Sequence, residues 1–176
     1  RRHDKGRVNK PLAFRKDAEG LEEAPDTLVG SVVPKGAKNP VKISFFGRIT
    51  VGRFGSPELT HDGVLQVASL DDLMATKLKT ILQRSSSKDY RDIAAMIAAG
   101  SQVSRVLANA HPMFRPTLQP ARSLGALTYH KDLAAPPPSQ THRTVLINAA
   151  VTCRGMPRVA RLSDRPPLEA SPCHPR

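Results

Sequence analysis

An α+β fold is predicted: a small β-sheet followed by a helical bundle, flanked by basic termini that remain disordered. Three observations lead to it. Apolar and polar residues alternate up to about residue 68, the apolar period changes to 3.6 from residue 69, and both ends are rich in Arg, Lys, Pro and Ser. The 176 residues divide accordingly into a weakly ordered basic segment over 1–25 and a folded portion over 26–135, with strands to about 68 and helices over 69–130. A Pro/Arg-rich tail over 136–176, mostly disordered, completes the chain.

Residues 26–33 alternate loosely and read as a strand that ends at Pro34. The following Pro34-Lys35-Gly36-Ala37-Lys38-Asn39-Pro40 is turn chemistry, because Pro fixes φ while Gly and Asn tolerate positive φ. Val41-Lys42-Ile43-Ser44-Phe45-Phe46 alternates again before Gly47, so a half-buried strand and a hairpin are expected there. Ile49-Thr50-Val51 can continue the sheet, and residues 63–68 offer a second short strand after the Gly52, Gly55 and Pro57 loop.

At Ser69 the pattern turns helical, with Leu70, Leu73, Met74, Leu78, Ile81 and Leu82 as one apolar stripe. Ser69 is a suitable N-cap, and Asp72 three residues on resembles a capping box with Asp in place of Glu. Ser85-Ser86-Ser87 interrupts the pattern. A second helix then runs through Tyr90, Ile93, Ala94, Met96 and Ile97 to Gly100 in C-cap position, so the pair should form a helical hairpin. A third helix is expected over 103–110, stopped before Pro112, and a fourth from Pro120 to Tyr129. Past Thr141 only residues 145–151 have helix or strand potential.

Lys plus Arg number 27 against 15 Asp plus Glu, a formal net charge of +12. Such a surface attracts polyanions such as tRNA, mRNA or nucleotide phosphates through counterion release, without conferring specificity. The aromatic fraction of 4% argues against a base-stacking platform for single strands. Cys153 and Cys173 form no Cys-x-x-Cys pair, so a reducing, cytoplasmic setting is expected. No apolar run approaches a membrane span, and no secretory h-region follows the basic start.

Lys77 lies i+4 from Leu73 and i+7 from Leu70, hence on the apolar stripe. A buried ammonium must snorkel, line a cleft or meet a carboxylate. Asp89 and Asp92, three apart on the next helix, face that way in a tight hairpin, and Arg84 and Lys88 add positive charge at the turn. Two readings stand at this point: an inter-helix ion pair that fixes packing, or a cleft in which a phosphate meets Lys77, Arg84, Lys88 and the free amides of a helix start.

The stretch Ser69-Leu70-Asp71-Asp72-Leu73-Met74-Ala75-Thr76-Lys77-Leu78-Lys79-Thr80-Ile81-Leu82-Gln83-Arg84, followed by Lys88-Asp89-Tyr90-Arg91-Asp92-Ile93, resembles the signature of the AbiEii/AbiGii toxin family. In that family a helix with Asp-Leu-x-x-x-Lys and a terminal Arg precedes a Lys-Asp-x-x-Asp helix start. The strand over 41–46 with Gly47 is also similar to the family's strand before this helix, so the resemblance covers roughly residues 26–130. It implies a polymerase-β-like nucleotidyltransferase core that uses Mg²⁺ held by carboxylates to move a nucleotide from an NTP to an RNA or protein acceptor. Lys77 would contact the triphosphate, and Asp89 or Asp92 would support the site or orient the lysine. The resemblance further implies a cognate antitoxin, and the toxin arm of a bacterial toxin–antitoxin or phage-defence pair.

The family's leading motifs, a Gly-Gly or Gly-Ser turn and an Asp-x-Asp strand, do not occur upstream of Val41. Gly30-Ser31 has no Asp-x-Asp after it and reads as turn chemistry. No metal ligand set is therefore expected in this chain, which reads as the C-terminal portion of such an enzyme, truncated and inactive alone. Alternatives of other classes are a non-catalytic basic module that binds nucleic acid or a partner, and a degraded remnant.

Overall fold

The computed structural model describes residues 18–47, 49–84, 86–130 and 137–158, which fall into two compact units, residues 1–50 and 51–176. Most of the N-terminal basic segment and residues 159–176, Cys173 included, lie outside the described residues.

The first unit holds three antiparallel strands, β1 (Glu19–Ala24), β2 (Thr27–Val32) and β3 (Val41–Phe46), in the order β1-β2-β3. The expected hairpin is present as β2–β3, with Leu28 opposite Phe45 and Gly30 opposite Ile43. These four share the face withdrawn from solvent, where Leu28 is fully buried. The turn between the strands closes through Ala37 N–H to the Pro34 carbonyl at 2.9 Å, with Gly36 at φ +83°.

Two expectations are corrected here. Residues 19–24, placed in the weakly ordered segment, form β1: Glu-Gly-Leu-Glu-Glu-Ala has no alternation to signal a strand, and it is held by pairing with β2 across the two-residue link Pro25-Asp26. Its residues are exposed and its three glutamates suit an unshielded edge. Gly30-Ser31 lies inside β2 rather than in a turn.

The second unit begins with a two-stranded ribbon, β4 (Glu58–Leu59) with β5 (Gln66–Val67), much shorter than the strand expected over 63–68. Ile49-Thr50-Val51 is not a strand. Five helices follow among the described residues: α1 (Leu70–Ile81), α2 (Ser87–Ala98), α3 (Val103–Met113), α4 (Pro120–Thr128) and α5 (Gln140–Thr152). Ser69 caps α1, its Oγ accepting from Asp72 N–H at 3.2 Å, and Gly100 follows α2 at φ +104°.

The core comprises Met74, Ala75, Leu78 and Ile81 of α1, Tyr90 and Ile93 of α2, Val106, Leu107 and Ala110 of α3, Leu127 of α4 and Leu146 of α5. The stripe of α1 is thus centred on Leu78. Leu70 and Leu73, expected in the core, stay 39% and 38% exposed, and Lys77 falls with them on the stripe's margin. α3 runs through Pro112 to Met113, past the expected stop, although that proline has no N–H to give to the helical ladder.

The tail expected over 136–176 is also corrected, since α5 occupies residues 140–152. Ser139 Oγ accepts from His142 N–H at 3.2 Å, and Leu146 and Ala150 bury against the bundle. No helix among the described residues is long and apolar enough to cross a membrane.

Candidate functional site

The helical hairpin α1–α2 brings together Lys77, Arg84, Asp89 and Asp92 of the charged residues singled out in the sequence. Lys77 leaves the margin of the α1 stripe and meets the first turns of α2, where Asp89 and Asp92 stand one turn apart. Its Nζ donates to Asp89 Oδ1 at 2.9 Å and to Asp92 Oδ2 at 2.6 Å. The Asp89 side chain is 2% exposed, and its other oxygen accepts from Arg84 Nε at 3.3 Å. A single buried carboxylate therefore joins the middle of α1, the chain just past its C-terminal end and the start of α2.

The members differ in exposure. Lys77 is 30% exposed, Asp92 46% and Arg84 68%, and Lys88 sits on the exposed side of α2. Burial pushes the Lys77 ammonium down, but the hydrogen bonds and negative charges of Asp92 and Asp89 together outweigh it and hold the group above the ordinary lysine value. An ammonium has three donors and two are spent on carboxylates, leaving one for a further anion. Ser86, the N-cap of α2, makes no side-chain cap bond to the helix start.

The hairpin carboxylates do not fit a Mg²⁺ ion. Both oxygens of Asp89 are taken up by cationic nitrogens and Asp92 is held by Lys77, whereas Mg²⁺ needs carboxylate oxygens free for its octahedron.

A second polar group, not anticipated beyond its capping role, gathers at the start of α1. The Asp72 carboxylate, 6% exposed, accepts from Phe54 N–H at 3.0 Å, Gly55 N–H at 2.9 Å and the Ser69 hydroxyl at 2.8 Å. Asp71 accepts from Ser101 Oγ at 3.0 Å and Arg105 Nε at 2.6 Å, tying α1 to the start of α3. The Ser-x-x-Asp spacing signals the cap, but partners 17 to 34 positions away leave no local pattern.

A family model described as a nucleotidyl transferase AbiEii toxin of a type IV toxin–antitoxin system matches residues 5–140. Neither a curated protein nor a solved structure matches the chain significantly. The matched span holds both strands of the β2–β3 hairpin, the α1–α2 hairpin and its Lys77, Arg84, Lys88, Asp89 and Asp92, and it implies an antitoxin partner and a nucleoside triphosphate substrate. Since that match extends over well more than half of the sequence, the chain belongs to the AbiEii nucleotidyltransferase toxin family of type IV toxin–antitoxin systems.

Proposed function

We propose that the α1–α2 hairpin is the triphosphate-binding edge of a nucleotide-transfer site, with Lys77 as the phosphate contact and Arg84 and Lys88 extending the positive surface. The observation that supports this most is the placement of Lys77 Nζ between Asp89 and Asp92, at 2.9 and 2.6 Å, in a family whose substrate is an NTP. Two carboxylates hold the ammonium charged and fixed, so that its remaining donor is aimed rather than mobile. Asp89, gripped by Lys77 and Arg84, is a positioning residue, and Asp92 is the more open arm of the same clamp. Arg84, Lys88 and the start of α2 add the charge and the helix end that favour a phosphate. Mg²⁺, where bound, would neutralise the phosphates and would be held by carboxylates other than Asp89 and Asp92. The acceptor is RNA or protein, and a cognate antitoxin opposes the activity in the bacterial cytoplasm.

Binding of a fluorescent ATP analogue to the full chain tests the assignment. Lys77→Ala is expected to weaken it by at least about tenfold, the loss of one charge-assisted phosphate contact of ~1.4 kcal/mol or more. Arg84→Gln and Lys88→Gln each weaken it less, and the wild-type affinity falls steeply with salt. An affinity unchanged by Lys77→Ala in a chain of unchanged circular dichroism would exclude the hairpin as the triphosphate site.

A further inference from the structure

The β4–β5 ribbon carries an apolar tip on a turn that holds its own shape. Thr60 N–H donates to the Leu65 carbonyl at 2.8 Å, and Gly63 N–H to the Thr60 carbonyl at 2.7 Å. Leu65 N–H donates in turn to Thr60 Oγ1 at 3.0 Å, and Val64 N–H to Asp62 Oδ1 at 3.1 Å. Val64 and Leu65 nevertheless stay 70% and 64% exposed, and Leu59 beside them is exposed as well. Large apolar side chains fixed on a bonded turn and left in water add little burial to the fold, while docking them costs little ordering entropy.

In the same unit, a groove of about 500 Å³ lies between α5 and the start of α3. Ile97, Val103, Val145 and Ala149 give it apolar walls, Asn148 and Thr152 of α5 lie along it, and none of its described lining residues is charged. We infer that the ribbon tip of one copy of this chain docks in the groove of a second copy, with Val64 and Leu65 entering between α3 and α5.

Charge selects a second copy as the occupant. Residues 54–76 hold Glu58, Asp62, Asp71 and Asp72 and no Lys or Arg, so all 27 basic residues lie elsewhere in the chain. The ribbon is an acidic island on a chain of net charge +12, and the surface that attracts it is the remainder of that same chain. At the groove, the exposed Arg154 directly follows the lining residue Cys153 and offers a cation to Asp62 or Glu58. Repulsion between two positive copies is screened beyond about 10 Å at 0.1 M salt, so the local contacts decide whether they join. Tip and groove are separate patches, so each copy can give its tip to one neighbour and its groove to another. A contact resting on one turn lies at the weak end of protein interfaces, which makes the assembly concentration-dependent.

Sedimentation equilibrium of the full chain, at concentrations up to about 100 μM, is the test. The weight-average mass is expected to rise with concentration above that of one chain, whereas Leu65→Asp and Asn148→Glu should each hold it at one chain. Both substitutions replace exposed side chains, and circular dichroism checks that each variant keeps its fold. The decisive sample is an equimolar mixture of the two. Leu65→Asp retains an intact groove and Asn148→Glu an intact tip, so together they should form one-to-one dimers and nothing larger. A wild-type chain that stays monomeric leaves the tip to a partner of another sequence and overturns the proposal. Folded variants that assemble like the wild type, or a mixture that forms no dimer, overturn it equally.

Discussion

Replacing Lys77 by Met keeps the aliphatic stem on the margin of α1 and removes only the charge, which isolates what the ammonium does for the hairpin. Asp89 is 2% exposed, so its carboxylate cannot turn to water for the lost donor. Breaking a buried pair from one side costs about 3–5 kcal/mol when no partner remains. Here Arg84 remains, at 3.3 Å and with a side chain 68% exposed, and Lys77 itself is 30% exposed. Both facts lower the expected loss to about 2–3 kcal/mol. For a chain of this size that is a fall of roughly 4–12 °C in melting temperature. Asp92 is 46% exposed, so Asp92→Asn should cost less than about 1 kcal/mol. Urea melts of Lys77→Met, Asp89→Asn, Asp92→Asn and the two double variants measure the couplings. A coupling of about 1.5 kcal/mol or more is expected for Lys77 with Asp89, and a smaller one for Lys77 with Asp92. If the Asp92 coupling proved the larger, or if Lys77→Met cost nothing, Asp89 would not be the buried anchor described.

Two further outcomes follow from the same side chains. Gly55→Ala would place a Cβ 2.0 Å from Ser69 Oγ, so the N-cap must move; a loss of about 2 kcal/mol or more in a denaturant melt is expected, and a loss under half of that would show that the loop gives way cheaply. His130 is held below its ordinary value of 6.5, first by burial and then by the positive charge of Arg143, against a bond to the Leu127 carbonyl. The unfolded chain then binds the proton more readily, so this contribution to stability is whole above the ordinary value and is lost as pH falls from there towards the folded value. Melts at about pH 7.5 and 5.5 should show an acid loss that His130→Phe reduces, and an identical loss in that variant would assign the effect elsewhere.

The helical half was legible where local chemistry and periodicity agree. Ser69 with Asp72 marks the start of α1, Gly100 marks the end of α2, and a lysine near two aspartates three apart announced the Lys77–Asp89–Asp92 contact. Strand β1 was illegible because its residues are exposed and polar, its order coming from β2 alone. α5 was hidden by a polar first turn, His142, Arg143 and Thr144, and by prolines that read as an ending although a proline before a Ser cap also begins a helix. The Asp72 bonds depend on which residues the fold brings together from afar, and no single-sequence spacing encodes that.

The Asp72 side chain accepts from the hydroxyl of the α1 cap, Ser69, and at the same time grips the amides of Phe54 and Gly55, so both ends of the intervening chain are fastened to one side chain. What lies between, the β4–β5 ribbon, is in effect a closed excursion, and its tip at residues 61–65 is exposed. Lengthening such a loop costs only about 0.6 kcal/mol for each doubling, because the entropy of closing it grows only with the logarithm of its length. The tip is thus a place where residues can be added without disturbing the helices of the same unit.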